Sequence, residues 1–258
     1  MKKLIFTLFT LFTLISFSQN SSIEEALADI NSTFKNMEVK LLNWPKSLLP
    51  KLGKLKDTAF IAFPKKKTEG KLPLLISLHG GGGKVWTIEE QLKRSAKVKG
   101  LSIAELAGKD LIVLEPNSFA KWDPKTLNIM LDYILETYTQ IDQDRIYLMG
   151  HSMGGLGTWD WIQQSPERFA AVAPCGFRGI SDDANIEKLV TLPVYGMVGG
   201  EDGKNVASVE KMASLLKAAG NKNVQFVAFS GANHAQGNKK VFSNVEWINW
   251  MLNFSTNQ

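Results

Sequence analysis

The chain alternates short apolar runs of strand length with longer segments whose apolar residues recur at helical spacing. Ser22 to Asn31 carries Ile23, Ala26, Leu27 and Ile30 on one side, which predicts a helix. Met37–Leu42 and Asp57–Phe63 predict two early strands, parted by a loop that Pro45, Pro50 and Gly53 punctuate. Leu72 to Leu78 is almost continuously apolar, as suits a parallel strand covered on both faces. The pattern then predicts a helix over Glu89–Lys99, a strand at Leu111–Leu114 opening into a loop from Glu115 to Pro124, and a helix over Thr126–Tyr138. Arg145–Met149 reads as a strand, and Gly155 to Ile162 as the helix after it. Strands follow at Phe169–Ala173, Leu192–Val198 and Val224–Phe229, with helices over Val209–Ala219 and Val241–Phe254. Strands alternating with helices argue for an α/β fold, a mostly parallel central sheet flanked by helices on both faces. The longest candidate for a lid is Gly176–Lys188, so a small lid or none is expected.

Composition narrows the class. Met1 to Ser18 has a charged start at Lys2-Lys3, an apolar core from Leu4 to Phe17, and a small-x-small ending, which together read as a secretory signal. Cleavage after Ser18 leaves residues 19–258 as a single domain. No cysteine lies near that point to carry a lipid, and no later run is long and apolar enough to span a membrane. A secreted or periplasmic protein is therefore expected, with no stable membrane insertion. The formal net charge is +5, and removing Lys2 and Lys3 gives 5 − 2 = +3, too mild to argue for nucleic acid. Nine lysines between Lys40 and Lys71 read as a solvated basic face. The one cysteine, Cys175, excludes an internal disulfide and reads as a small buried hydrophobe.

Chemistry centres on Gly150-His151-Ser152-Met153-Gly154, a G-x-S-x-G pattern between a strand and a helix. Such a turn lifts the serine hydroxyl above the sheet edge and demands tiny residues two positions either side. Only three histidines could serve as base. His151 immediately precedes Ser152, and its side chain is expected to point away from the nucleophile. His79, in His79-Gly80-Gly81-Gly82-Gly83, suits a structural hydrogen bond. His234 lies in the loop between the last strand and the last helix, at the sheet edge where Ser152 projects, and is the expected base. The acid that orients it is expected in Gly199-Gly200-Glu201-Asp202-Gly203, with Asp202 favoured over Glu201. The order Ser, Asp, His is that of the α/β-hydrolases. An oxyanion needs preorganised donors, for which the amides of Met153 and Gly81 are the candidates, with Gly82 next. A phosphate-cradling role for the glycine run is disfavoured, since Gly83-Lys84 leads to Val85 rather than to Ser or Thr. Trp86 and Trp122 leave the first two central strands and offer either an aromatic wall for substrate or packing beneath the loops. Nothing here calls for a metal or an organic cofactor.

The run Asp144 to Gly155, continuing through Gly157-Thr158-Trp159 and Ser165-Pro166-Glu167-Arg168-Phe169, resembles the secreted "predicted peptidase" and esterase branch of the α/β-hydrolase superfamily. That branch is similar to feruloyl and acetylxylan esterases and to polyhydroxybutyrate depolymerases. Leu78-His79-Gly80, Glu115-Pro116 with Trp122, and Gly199 to Gly203 fit the same pattern, over roughly residues 55 to 254. One departure is Val198-Gly199, where the family often has His-Gly before the acid. The resemblance implies an α/β-hydrolase fold and hydrolysis of a small-molecule or polymer-linked ester. A serine peptidase of the same fold is the alternative, and a catalytically silent secreted binding module a more distant one.

Overall fold

The computed structural model describes residues 22–66, 68–180 and 184–257. The expected signal, Met1 to Ser18, lies outside the described residues. In chain order the elements are α1 (residues 22–33), β1 (Met37–Asn43), β2 (Leu55–Pro64), β3 (Leu72–Leu78), α2 (Ile88–Val98), α3 (Gly100–Ala107), β4 (Ile112–Ser118) and α4 (Pro124–Thr137). They continue with β5 (Ile141–His151), α5 (Met153–Gln164), β6 (Ala171–Cys175), β7 (Val194–Gly199), α6 (Lys204–Ala218), β8 (Val224–Phe229), α7 (His234–Val241) and α8 (Glu246–Met251).

The strands form one eight-stranded sheet in the order β1-β2-β4-β3-β5-β6-β7-β8. β1 pairs antiparallel with β2, and β2 with β4; every other pair is parallel. Both faces are covered, and strand alternation sorts the core. Ile76 and Leu148 join Leu131 of α4, Trp161 of α5 and Leu216 of α6 on one face. Leu75 and Tyr147, their neighbours in β3 and β5, join Leu92 of α2, Leu101 of α3 and Trp247 of α8 on the other. Each such side chain contributes about 1.5–3 kcal/mol when fully buried, so neither layer is dispensable. The large indoles settle their polar ends within the core: Trp161 Nε1 donates to Asn128 Oδ1 at 2.8 Å and Trp247 Nε1 to the Val241 carbonyl at 2.8 Å.

Three elements depart from the sequence pattern. β4 runs on to Ser118, through residues expected as loop, because β2 pairs with it as far as Ser118. Pro116 is tolerated there because β3 pairs with β4 only as far as Leu114, so no donor is needed on that side. The helix expected over Glu89–Lys99 breaks at Lys99, whose backbone is extended, and α3 starts afresh at Gly100. The buried Glu115 carboxylate accepts the Leu101 N–H at 2.8 Å and the Ser95 hydroxyl, so it caps α3 and ties it to α2. The single helix expected over Val241–Phe254 is instead α7 followed by α8. Between β6 and β7 the described residues form only a short 3-10 turn, Ile186–Leu189. Among the described residues no helix is long and apolar enough to cross a membrane.

Candidate active site

β5 ends at His151 and α5 begins at Met153, so Ser152 is the whole turn between them. Its backbone has φ 62° and ψ −120°, and it is the one non-glycine with positive φ among the described residues. Strain of this kind costs about 1–3 kcal/mol, which the surrounding structure must offset. Part of that restraint is the Ser152 N–H, which donates to the Cys175 carbonyl at 2.9 Å. The flanking glycines are demanded by close backbone approach. A Cβ on Gly150 would lie 2.3 Å from the Gly154 carbonyl oxygen, and one on Gly154 would lie 2.0 Å from that of Leu78.

His234 opens α7, where Asn233 forms a capping box with Gln236 that fixes the helix start. Its Nε2 accepts from the Ser152 hydroxyl at 2.9 Å, and its Nδ1–H donates to Asp202 Oδ2 at 2.7 Å. The Asp202 side chain is only 6% exposed, against 43% for His234. Asp202 is placed by its own N–H, which donates to the Gly199 carbonyl at 3.0 Å, and by Glu201 N–H, which bonds the Ala232 carbonyl at 2.9 Å. These bonds join the β7 loop to the segment that carries His234. Glu201 is exposed, and Asp202 is the acid that meets His234. Asn205, in the first turn of α6, donates from Nδ2 to the second Asp202 oxygen at 2.9 Å.

The glycine-rich segment after β3 forms a 3-10 turn, Gly81–Lys84, preceded by an extended Gly80. Gly80 is the residue beside the nucleophile: a Cβ on it would sit 3.5 Å from Ser152 Cβ. Gly81 next to it faces open space. Met153 heads α5, where first-turn amides have no acceptor within the helix. The 3-10 turn is held from below by Lys56, whose ammonium donates to the Gly83 carbonyl at 3.1 Å and the Trp86 carbonyl at 2.8 Å. Desolvation lowers the pKa of that ammonium. His79 is structural, as expected. Its Nε2 accepts the Ser118 N–H at 3.0 Å, and its Nδ1 donates to the Gly80 carbonyl at 2.8 Å. Burial pulls its pKa down to about 4.

The ligand face expected of Trp122 is corrected, and His151 gains a neighbour the sequence did not show. Trp122 is 4% exposed, donates to the His79 carbonyl at 3.1 Å and packs on the His79 ring, so it supports the loop from beneath and offers no face to a ligand. Trp86 is partly exposed, but the Arg94 guanidinium lies 4.2 Å over its ring. The exposed apolar side chains on these two loops are instead Val85 and Phe119. The ring of His151, expected to point away from the nucleophile, packs against that of His234. It is buried, and lies 4.7 Å from the His234 ring at a tilt of 40°. Its Nε2 has no hydrogen-bond partner. Burial, then the nearby His234 and Lys99, hold its pKa down at about 3. Cys175 is buried, with its thiol pKa pushed up by desolvation.

His151, Asp202 and His234 bring potential metal-ligating atoms within 4.8 Å of one another. Two of the three groups are already hydrogen-bonded to each other, Asp202 Oδ2 with His234 Nδ1. Residues 119–246 match the model of the dienelactone hydrolase family. The fold is that of the α/β-hydrolases. The chain superposes on a thermostable esterase with a TM-score of 0.64 at 22% identity, covering 86% of this chain and 64% of that one. It superposes on the S-formylglutathione hydrolase of Staphylococcus aureus with a TM-score of 0.58 at 20% identity, over 84% of this chain and 96% of that one. In sequence it is 25% identical over 154 residues to a bifunctional acetylxylan esterase/xylanase of Neocallimastix patriciarum. That alignment covers 56% of this chain and 21% of the relative, so the chain matches only a small part of the relative's length.

Sequence reasoning missed Asn205 and Lys56, and the packing of His151 on His234. Asn205 carried a legible signal, an amide side chain three residues after Asp202 at a helix start. His151 and Lys56 carried none, since their partners arrive from distant loops.

Proposed function

We propose that the chain is a serine ester hydrolase that works through an acyl-enzyme. One observation carries this reading: the unbroken hydrogen-bonded line from Ser152 through His234 to Asp202, set on a strained strand-to-helix turn. In the first half-reaction His234 Nε2 takes the Ser152 proton as Oγ attacks the ester carbonyl. Asp202 keeps the imidazole in the productive tautomer and stabilises the imidazolium. The developing oxyanion is received by the amides of Met153 and Gly81. Collapse of the tetrahedral species expels the alcohol with the proton from His234. Water then enters, is deprotonated by His234, and releases the acid and free Ser152.

The acetylxylan esterase/xylanase relative supports acyl groups carried on a polysaccharide as one substrate class, beside small esters. The signal-like Met1–Ser18 supports action outside the cytoplasm. The test is p-nitrophenyl acetate hydrolysis by the wild type and Ser152→Ala. The wild type should turn over, and the variant should fall to background while melting at the same temperature. Equal rates in the two proteins would end the proposal.

A further inference from the structure

Asp202 has two carboxylate oxygens, and the relay to His234 uses one of them. Oδ2 receives His234 Nδ1–H at 2.7 Å, while Oδ1 accepts Asn205 Nδ2 at 2.9 Å. Asn205 is also tied to Asp202 through the main chain, its N–H donating to the Asp202 carbonyl at 3.1 Å. The same Nδ2 stands 3.2 Å from His234 Nδ1. The orientation of the amide follows from its surroundings. An oxygen in place of Nδ2 would face a carboxylate oxygen at hydrogen-bonding distance and be repelled. With the Nδ1 hydrogen directed at Asp202, the contact to His234 sets the positive end of the amide dipole against the edge of the imidazole.

We infer that Asn205 is a positioning residue for the Asp202–His234 pair. The inference rests on the serine-hydrolase reading above. Asn205 acts in two ways. It stops rotation of the Asp202 carboxylate, so that Oδ2 and not a rotating pair of oxygens faces Nδ1. Beside the Asp202 carboxylate and the uncharged His151 ring 4.7 Å away, it also disperses part of the Asp202 charge and opposes further positive charge at Nδ1, which limits how firmly an imidazolium is held. An imidazolium held too firmly delivers its proton poorly to the leaving alcohol, and leaves less free base to activate Ser152. Both influences of the amide act in one direction. Removing it should therefore move the acid side of the activity profile to higher pH, as well as loosen the geometry.

The experiment compares wild type, Asn205→Ala and Asn205→Asp by kcat and KM on p-nitrophenyl acetate across pH, and by the pH-dependent rate of Ser152 labelling with a fluorophosphonate. Asn205→Ala should lower kcat about tenfold with KM little changed, and shift the acid limb up by roughly half a pH unit. Asn205→Asp should shift the limb further in the same direction, since it adds negative charge beside Nδ1. A wild-type kcat and limb in Asn205→Ala overturns the proposal. So does a fall in kcat with the limb unmoved, which is what a purely structural role would give. A limb that stays put or moves to lower pH in Asn205→Asp overturns it equally. Labelling separates the two levels of the argument. If the wild type labels at Ser152 but hydrolyses no ester, the substrate reading fails, and the labelling rates still decide the role of Asn205.

Discussion

The rings of His151 and His234 lie 4.7 Å apart at a tilt of 40°, so the residue before the nucleophile supports the base from its face. His151 suits that place only while uncharged, because a second cation against His234 would oppose the imidazolium that the proposed mechanism forms in each half-reaction. Its pKa of about 3 keeps it neutral at any pH well above that value. His151→Phe, which keeps a flat uncharged ring, should retain turnover within about threefold, whereas His151→Ala, which removes the support, should lose on the order of 10- to 100-fold in kcat. Steady-state kinetics on a small ester measure both. Equal losses in the two variants would contradict the packing role.

Two buried neutral histidines also set an acid limit on stability. His79 and His151 have folded-state pKa values of about 4 and about 3, below the 6.5 of an unfolded chain. The unfolded state therefore binds protons first as pH falls. The stability they contribute is fully present above pH 6.5 and is lost as pH drops towards those folded values. Each contributes on the order of 3 kcal/mol. Denaturant midpoints should thus fall between pH 7 and pH 4.5, and fall less in His151→Phe, which has one such group fewer. An equal fall in the two chains would speak against a neutral buried His151.

Lys56 fastens the 3-10 turn beside Ser152 through the Gly83 and Trp86 carbonyls. Lys56→Met fills the same space without donors and leaves those two carbonyls unpaired, at about 1–3 kcal/mol each if they remain dry. The variant should fold with a lower melting temperature. Its kcat should fall more than its KM rises, because in the proposed mechanism a loosened turn weakens oxyanion binding rather than ground-state binding. Unchanged kcat would show that the turn needs no anchor.

Gly154 faces the Leu78 backbone so closely that a Cβ would stand 2.0 Å from the carbonyl oxygen. Gly154→Ala must push α5 off β3 and should cost about 2–4 kcal/mol, read as a lower thermal midpoint. By contrast Gly81→Ala meets open space and should fold normally.

The sheet and its site were legible to different degrees. Continuous apolar runs placed β3, β5 and β7 to within two or three residues, except that β5 starts earlier, at Ile141. The G-x-S-x-G turn with Asp202 and His234 after it was legible because loops leaving parallel strands gather at one edge. What sequence could not show is which side chains meet there. The Trp122 loop position suggested a ligand wall, yet a free indole N–H and a free His79 carbonyl on adjacent loops satisfy each other instead. The side chain of His151 was read from its own turn alone, and its partner comes from a loop 83 residues away (234 − 151). α3 was hidden because its cap, Glu115, is supplied by a strand.

In the proposed mechanism Ser152 is a nucleophile activated by His234 and Asp202. Intact-protein mass spectrometry after brief exposure to a fluorophosphonate tests it most directly, followed by peptide mapping of the adduct. One adduct per chain should appear on Ser152, with none in Ser152→Ala and labelling slowed by orders of magnitude in His234→Ala. Absence of labelling in the folded wild type, or labelling of another residue at the same rate in Ser152→Ala, would rule out Ser152 as the nucleophile.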